Sequence, residues 1–201
     1  MARRVLVPLL LLLLVLTGCS GDDAPEGTLN GTPVDPPFAV GDTELVDTDG
    51  EPMALTDVDA RLTLVFFGYT KCPDVCPLVL QNIASALTRL TDEQREQVQV
   101  AFVSTDPAHD TPEVVRRYLD RFDPSYVGLT GELEDVVEVA DTVGVFVLEG
   151  EPGKADPEYD PGAHGTQVLG MDADGEAPVL WGQDTSSAQY AADIELLLRD
   201  V

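Results

Sequence analysis

The sequence is poor in positive charge. It carries 11 Lys and Arg against 37 Asp and Glu in 201 residues, a formal net charge of −26, and its only lysines are Lys71 and Lys154. A surface of that sign repels phosphate backbones, which argues against nucleic acid as a partner. It keeps a chain soluble and leaves room for attraction to a basic partner. Long apolar runs are lacking as well. The longest, residues 5–16 (VLVPLLLLLLVL), is shorter than the about 20 residues that a membrane-spanning helix needs. Histidine is scarce, with only His109 and His164, and cysteine is limited to Cys19, Cys72 and Cys76. With 44% hydrophobic residues, a chain of this size builds a core without disulfide staples. An odd number of cysteines in an exported protein means that one thiol has a separate fate.

The N-terminus supplies that fate. Arg3 and Arg4 precede the apolar run, and LTGC follows at 16–19. This pattern resembles the lipobox of bacterial lipoproteins, in which cleavage leaves an acylated cysteine, here Cys19, as the new N-terminus. Alternatives are a plain secretory signal or an uncleaved anchor with a free Cys19, and the arginine pair leaves open export by the general or the twin-arginine route. Residues 1–18 are thus read as a signal peptide and 19–37, rich in Gly, Pro and Asp, as a flexible tether. Residues 38–201 form the domain, expected on the extracytoplasmic side of the cell membrane and anchored there through the lipid on Cys19.

Within the domain, residues 38–55 alternate apolar and polar positions around Asp49-Gly50 and predict a β-hairpin. Residues 61–69 (RLTLVFFGY) predict a strand buried on both faces, and 98–105 a second one. Helices are predicted over 77–90, over 110–122 with Thr111 as cap and Pro112 in the first turn, and from about 132 to 143 with Gly144 as its stop. VFVLE at 145–149 reads as a strand and 154–164 as a polar loop. A hairpin turning at Asp174-Gly175 and a helix over 187–198 complete the chain. A βαβ beginning with an antiparallel ββα end is the thioredoxin-like α/β arrangement, here with an added N-terminal β-hairpin. Sites in such sheets lie where the chain leaves the carboxyl end of a strand. Cys72 and Cys76 fall at that point.

The pair is spaced C-P-D-V-C, with three intervening residues where thioredoxins have two. Cys76 precedes Pro77 and is placed near the cap of the following helix, where free N–H groups and the helix dipole lower a thiol pKa. Thiolates attack disulfides and bind soft metals, so dithiol redox chemistry and Cu(I) binding both remain open. A third ligand would be a histidine. His109, in DPAHDTP, reads as an exposed loop residue; His164, at the end of the polar loop, reads either as a surface residue or as a ligand. Asp74, inside the motif, reads as an exposed turn residue or as a group that tunes the site. Structural zinc lacks ligands. Peroxide reduction lacks the threonine expected three residues before the cysteine, where Tyr69 stands.

FFGYTKCPDVCP at 66–77 and FVSTDPAHDTPEVVRRYLDRFDPSYVGLTG at 102–131 resemble the Sco/SenC family of copper proteins, and the resemblance runs from about Phe38 to the C-terminus. It implies one copper ion, Cu(I) or Cu(II), held by Cys72, Cys76 and His164. It implies a copper chaperone that delivers metal to the CuA site of cytochrome c oxidase, or reduces that site's thiols, with the CuA-bearing subunit as partner. The other reading is a metal-independent thiol–disulfide oxidoreductase of the cell envelope, with Cys72 and Cys76 as redox pair. One departure stands out: Gly162-Ala163-His164-Gly165 replaces the family's usual Val-Asp-His-Ser and removes an acid that would orient the imidazole.

Overall fold

The computed structural model describes residues 27–148 and 160–199. The expected signal peptide, Cys19, the tether's first part, Glu149 of the expected VFVLE strand and most of the polar loop lie outside the described residues. In chain order the strands are β1 (Thr32–Ala39), β2 (Leu45–Asp47), β3 (Pro52–Met53), β4 (Leu62–Gly68), β5 (Val98–Ser104), β6 (Val127–Thr130), β7 (Val168–Asp172) and β8 (Glu176–Trp181). The helices are α1 (Val75–Leu87), α2 (Asp92–Arg95), α3 (Pro112–Leu119), α4 (Leu133–Thr142) and α5 (Ser187–Leu197). None of these helices is long and apolar enough to cross a membrane.

The strands form one sheet in the order β1-β8-β7-β4-β5-β6-β2-β3. β4 pairs parallel with β5 and antiparallel with β7, so it is central, and all seven of its residues are buried. Its side chains alternate between two cores. Leu64 and Phe66 join Val79, Leu80 and Ile83 of α1, Val115 and Leu119 of α3, and Ile194 of α5. Val65 and Phe67 join Val136, Val139 and Ala140 of α4 on the other face. A strand covered by helices on both faces has no polar side to show, hence an apolar run whose one polar side chain, Thr63, is buried.

Both predicted glycine turns form. Gly50 and Gly175 take φ of +87° and +77°, which glycine adopts without a Cβ clash. The N-terminal hairpin is otherwise not as expected. β2 and β3 form only a short ribbon around Asp49-Gly50, while Phe38 and Ala39 lie in β1 and pair with β8. VFVLE is also not a strand: within it Val147 makes a single bridge, to His164.

The chain is ordered well before Phe38. β1 starts at Thr32, inside the expected tether, and its prolines are tolerated because it is an edge strand. The cause is Asp193 of α5, which is 1% exposed. Its carboxylate accepts from the backbone N–H and side-chain amide of Asn30 at 2.9 and 2.8 Å, from Gly31 N–H at 2.8 Å and from Trp181 Nε1–H at 2.7 Å. A buried carboxylate is tolerated only when its lone pairs are satisfied, and here two of four donors come from backbone entering β1. Replacing Asp193 with Ala should therefore cost about 3 kcal/mol of unfolding free energy and free residues 27–33 from protection. Urea unfolding together with amide hydrogen exchange checks this; unchanged exchange at Gly31 would contradict it.

Candidate metal centre

The loop after β4 is set by the end of β5. Thr105 N–H donates to the Gly68 carbonyl at 2.7 Å. Asp110, fully buried, accepts from Thr70 N–H at 2.9 Å, Thr70 Oγ1–H at 2.6 Å and Ser104 Oγ–H at 2.7 Å. Gly68 makes room: a Cβ there would stand 3.0 Å from Cys76 Sγ and 3.1 Å from the Phe102 ring. The chain then turns through 69–74 into α1.

The two cysteines are reduced and differ in setting. Cys72 is half-buried, whereas Cys76 is 0% exposed and packed into the core with Phe66 and Phe102. Cys76 is not at the helix cap. Asp74 takes the cap position and Cys76 sits inside the first turn. Burial pushes the Cys76 thiol well above the ordinary cysteine range, and its S–H bond to Cys72 adds to the shift. The expected depression does not occur, because desolvation outweighs the backbone donors of the helix start. The Cys72 sulfur accepts from the Cys76 N–H at 3.4 Å.

His164 reaches the same cavity from the other side. Its loop is pinned by Leu148 N–H to Ala163 O at 3.0 Å and Gly165 N–H to Phe146 O at 2.7 Å, and by Thr105 Oγ1–H to Pro161 O at 2.9 Å. The imidazole Nδ1 lies 2.7 Å from the Gly165 carbonyl, so Nδ1 carries the proton and Nε2 keeps a free lone pair. A backbone carbonyl thus does the orienting that the absent acid would have done. Burial lowers the His164 pKa below its ordinary value and keeps the ring neutral.

A cavity of about 220 Å³ is lined by Tyr69, Cys72, Asp74, Cys76, His164 and Thr166, among others. His109 is not among its lining residues; it is exposed, with Nδ1 2.9 Å from the Asp106 carboxylate. Asp74 is exposed and lines the cavity, so both readings of it stand. Two sulfurs and one unprotonated nitrogen fit a soft ion in donor type. They are not preassembled: among the described residues no three His, Cys, Asp or Glu side chains lie close enough together to hold a metal. Sequence reasoning missed Asp110, Gly68 and the contacts of Tyr69, because each acts through a partner distant in sequence. Two large apolar side chains, Leu78 and Phe146, are exposed on elements that also carry cavity residues. Leu78 follows Val75 on the same face of α1, and Phe146 is bonded to the His164 loop.

A thioredoxin-like sheet that carries a reduced dithiol at the start of a helix and an imidazole across one cavity defines a thiol domain with metal-binding donors. The SCO1/SenC family model matches residues 32–199. A "SCO2-like protein" of Rickettsia felis is 34% identical over 119 residues, which cover 59% of this chain and 58% of the relative, less than two thirds of its length. The solution structure of apo Sco1 from Thermus thermophilus is 34% identical with a TM-score of 0.70, covering 87% of this chain and 99% of that one. Copper-bound ScoI from Bradyrhizobium japonicum is 31% identical with a TM-score of 0.64, covering 78% and 97%. The chain belongs to the SCO1/SenC family.

The difference in burial predicts the order of thiol modification. Iodoacetamide added to the folded, reduced protein should alkylate Cys72 well before Cys76, as followed by peptide mass spectrometry. Equal rates would contradict the packing of Cys76.

His164 predicts a pH effect on folding. Its folded pKa is depressed, so below about pH 6.5 the unfolded chain binds a proton that the folded chain refuses. The stability it contributes is full above that pH and is lost as pH falls through the lower folded value. Urea midpoints of the metal-free protein should drop more steeply between about pH 7 and about pH 5 than those of His164→Gln. Parallel curves would show that the ring is not buried as described.

Proposed function

We propose that this chain is a membrane-tethered copper-binding protein that holds one copper ion through Cys72, Cys76 and His164. It delivers the ion to the CuA site of cytochrome c oxidase or prepares that site's thiols. The observation that carries this reading is the arrangement of His164: Nδ1 is engaged by the Gly165 carbonyl, and Nε2 is left free on the cavity that both cysteines line. A dithiol that only exchanged electrons would have no use for an imidazole held in that tautomer. The oxidase as target rests on membership of the family. Tethering rests on Cys19 and the lipobox pattern before it.

Two sulfurs and one imidazole suit Cu(I) and still accept Cu(II). Binding must displace the protons of the thiols, so loading releases protons and is favoured by a neutral His164. The half-buried Cys72 gives an incoming thiolate access, which permits transfer by stepwise ligand exchange.

The second reading, a metal-independent thiol–disulfide oxidoreductase, is favoured by the adjacent cysteines, the Cys72 sulfur accepting from the Cys76 N–H. In that mode Cys72 attacks a partner disulfide and Cys76 resolves the mixed disulfide. Two electrons and two protons pass to the partner thiols as the Cys72–Cys76 bond forms.

Titrating the reduced domain with Cu(I) and with Cu(II), read by sulfur-to-copper charge-transfer absorption, separates the two. His164→Ala should lose Cu(II) affinity by about tenfold or more yet keep a reducible Cys72–Cys76 disulfide. Copper binding unchanged in that variant would remove His164 from the site, and no binding by the wild type would leave the redox reading alone.

A further inference from the structure

We propose that Asn30-Gly31 is a guarded deamidation site, kept intact by the Asp193 carboxylate and converted in one direction once that contact opens. The chain has only two asparagines, Asn30 and Asn82, and the first is followed by glycine. In such a pair the glycine nitrogen attacks the side-chain amide carbon with no side chain of its own in the way. The bond from Gly31 N to Asn30 Cγ forms and the Cγ–Nδ2 bond breaks. Nδ2 leaves as ammonia with the proton from Gly31 N, and a cyclic imide remains. Water then opens the imide at either carbonyl and leaves aspartate or isoaspartate at position 30.

The fold demands both residues of this unstable pair. A Cβ at position 31 would stand 2.6 Å from Trp181 Nε1 and 2.8 Å from Val179 Cγ2, so only glycine fits there. Asn30 gives Asp193 a side-chain N–H as well as a backbone one. The same bonds restrain the reacting groups. Asn30 Nδ2–H donates to Asp193 Oδ1 at 2.8 Å, and Gly31 N–H donates to Oδ2 at 2.8 Å. To close the imide, the Asn30 side chain must turn back onto Gly31 N, and Gly31 must give up the proton that it donates to Oδ2. Each change breaks a bond to a carboxylate that is almost wholly buried, where such bonds are strong. Asn30 is exposed, so water for the second step is at hand and ring closure is the step under control.

The product does not fit back. Aspartate at position 30 sets a second carboxylate where an amide donor stood, against Asp193, and like charges repel. Isoaspartate adds a carbon to the backbone and carries Gly31 N–H away from its acceptor. Either product opens the entrance of β1. Thr32 and Pro33 pair with Leu180 and Val179, so the freed segment uncovers the end of β8. An uncovered strand edge is open to pairing with other chains, and a loosened terminus to proteolysis. Deamidation therefore marks, without return, those chains whose N-terminal contact has once opened.

Peptide mass spectrometry of the folded protein and of the same protein in urea, both aged at mildly alkaline pH, tests this. Asn30 should convert about tenfold or more slowly in the folded protein, since only opened molecules react. Asn82, followed by isoleucine, is the internal reference. Equal rates in the two states would overturn the guard. A faster rate in the folded protein would also overturn it and make Asp193 a base that promotes ring closure. Asp193→Asn turns an amide donor against the same donors and, in folded molecules, should raise the rate toward the urea value; a rate as low as that of wild type would remove Asp193 from the role. Asn30→Asp supplies the product directly. Its Gly31 amide should lose protection from hydrogen exchange while the β4 and β5 amides keep theirs. Retained protection at Gly31 would show that the product docks again and would overturn the one-way conversion.

Discussion

The carboxylate of Asp110 gathers the backbone N–H and hydroxyl of Thr70 and the hydroxyl of Ser104 in a place closed to solvent. Such a group is costly to bury unless its oxygens are satisfied, and here the donors that satisfy it are the loop after β4 and the end of β5. One residue beyond Ser104, the Thr105 hydroxyl holds Pro161 of the histidine loop. The end of β5 is thus the common reference for both halves of the cavity. It directs the cysteine loop one way and the His164 loop toward it, and it does so through short bonds on rigid strands. A site assembled on strand ends in this way can be loose at its centre and still be well positioned as a whole.

That looseness has chemical sense. Burial keeps the Cys76 thiol uncharged, and its backbone N–H bonds to the Cys72 sulfur. His164 is buried neutral with its outer nitrogen free. In the absence of an ion the cavity therefore holds no concentration of unpaired charge, which a core of this kind could not tolerate. A cation or a disulfide bond each replaces the thiol protons, which is why one pair of sulfurs serves both metal transfer and redox exchange. The cavity is half open at Cys72, so a partner can approach without the domain unfolding.

Much of this was legible locally. The β4 run could only be a doubly covered strand, because seven residues without a polar face have nowhere else to go. Asp49-Gly50 and Asp174-Gly175 named their turns through the backbone freedom of glycine. Thr111 at the cap position and Pro112 in the first turn placed α3. Where reading failed, the deciding partner was far away. The Pro-rich residues 32–37 look like linker by composition, yet they extend an edge strand whose entrance is bonded to Asp193, up to 163 positions later. Cys76 looked like a cap thiolate from its neighbour Pro77, but the wall around it is built from Phe66 and Phe102, which no local rule foresees.

The spacing of Cys72 and Cys76 at the end of a buried strand follows from the sequence alone, since short-range covalent geometry sets how close two such sulfurs come. The alternation that sorts helices onto two faces of a sheet follows from it too. Only the folded chain decides the protonation of Cys76, the tautomer of His164 and the edge-to-face packing of Tyr69 on that ring. Those depend on desolvation and on hydrogen bonds between segments separated by most of the domain, and such quantities exist only once the segments have packed.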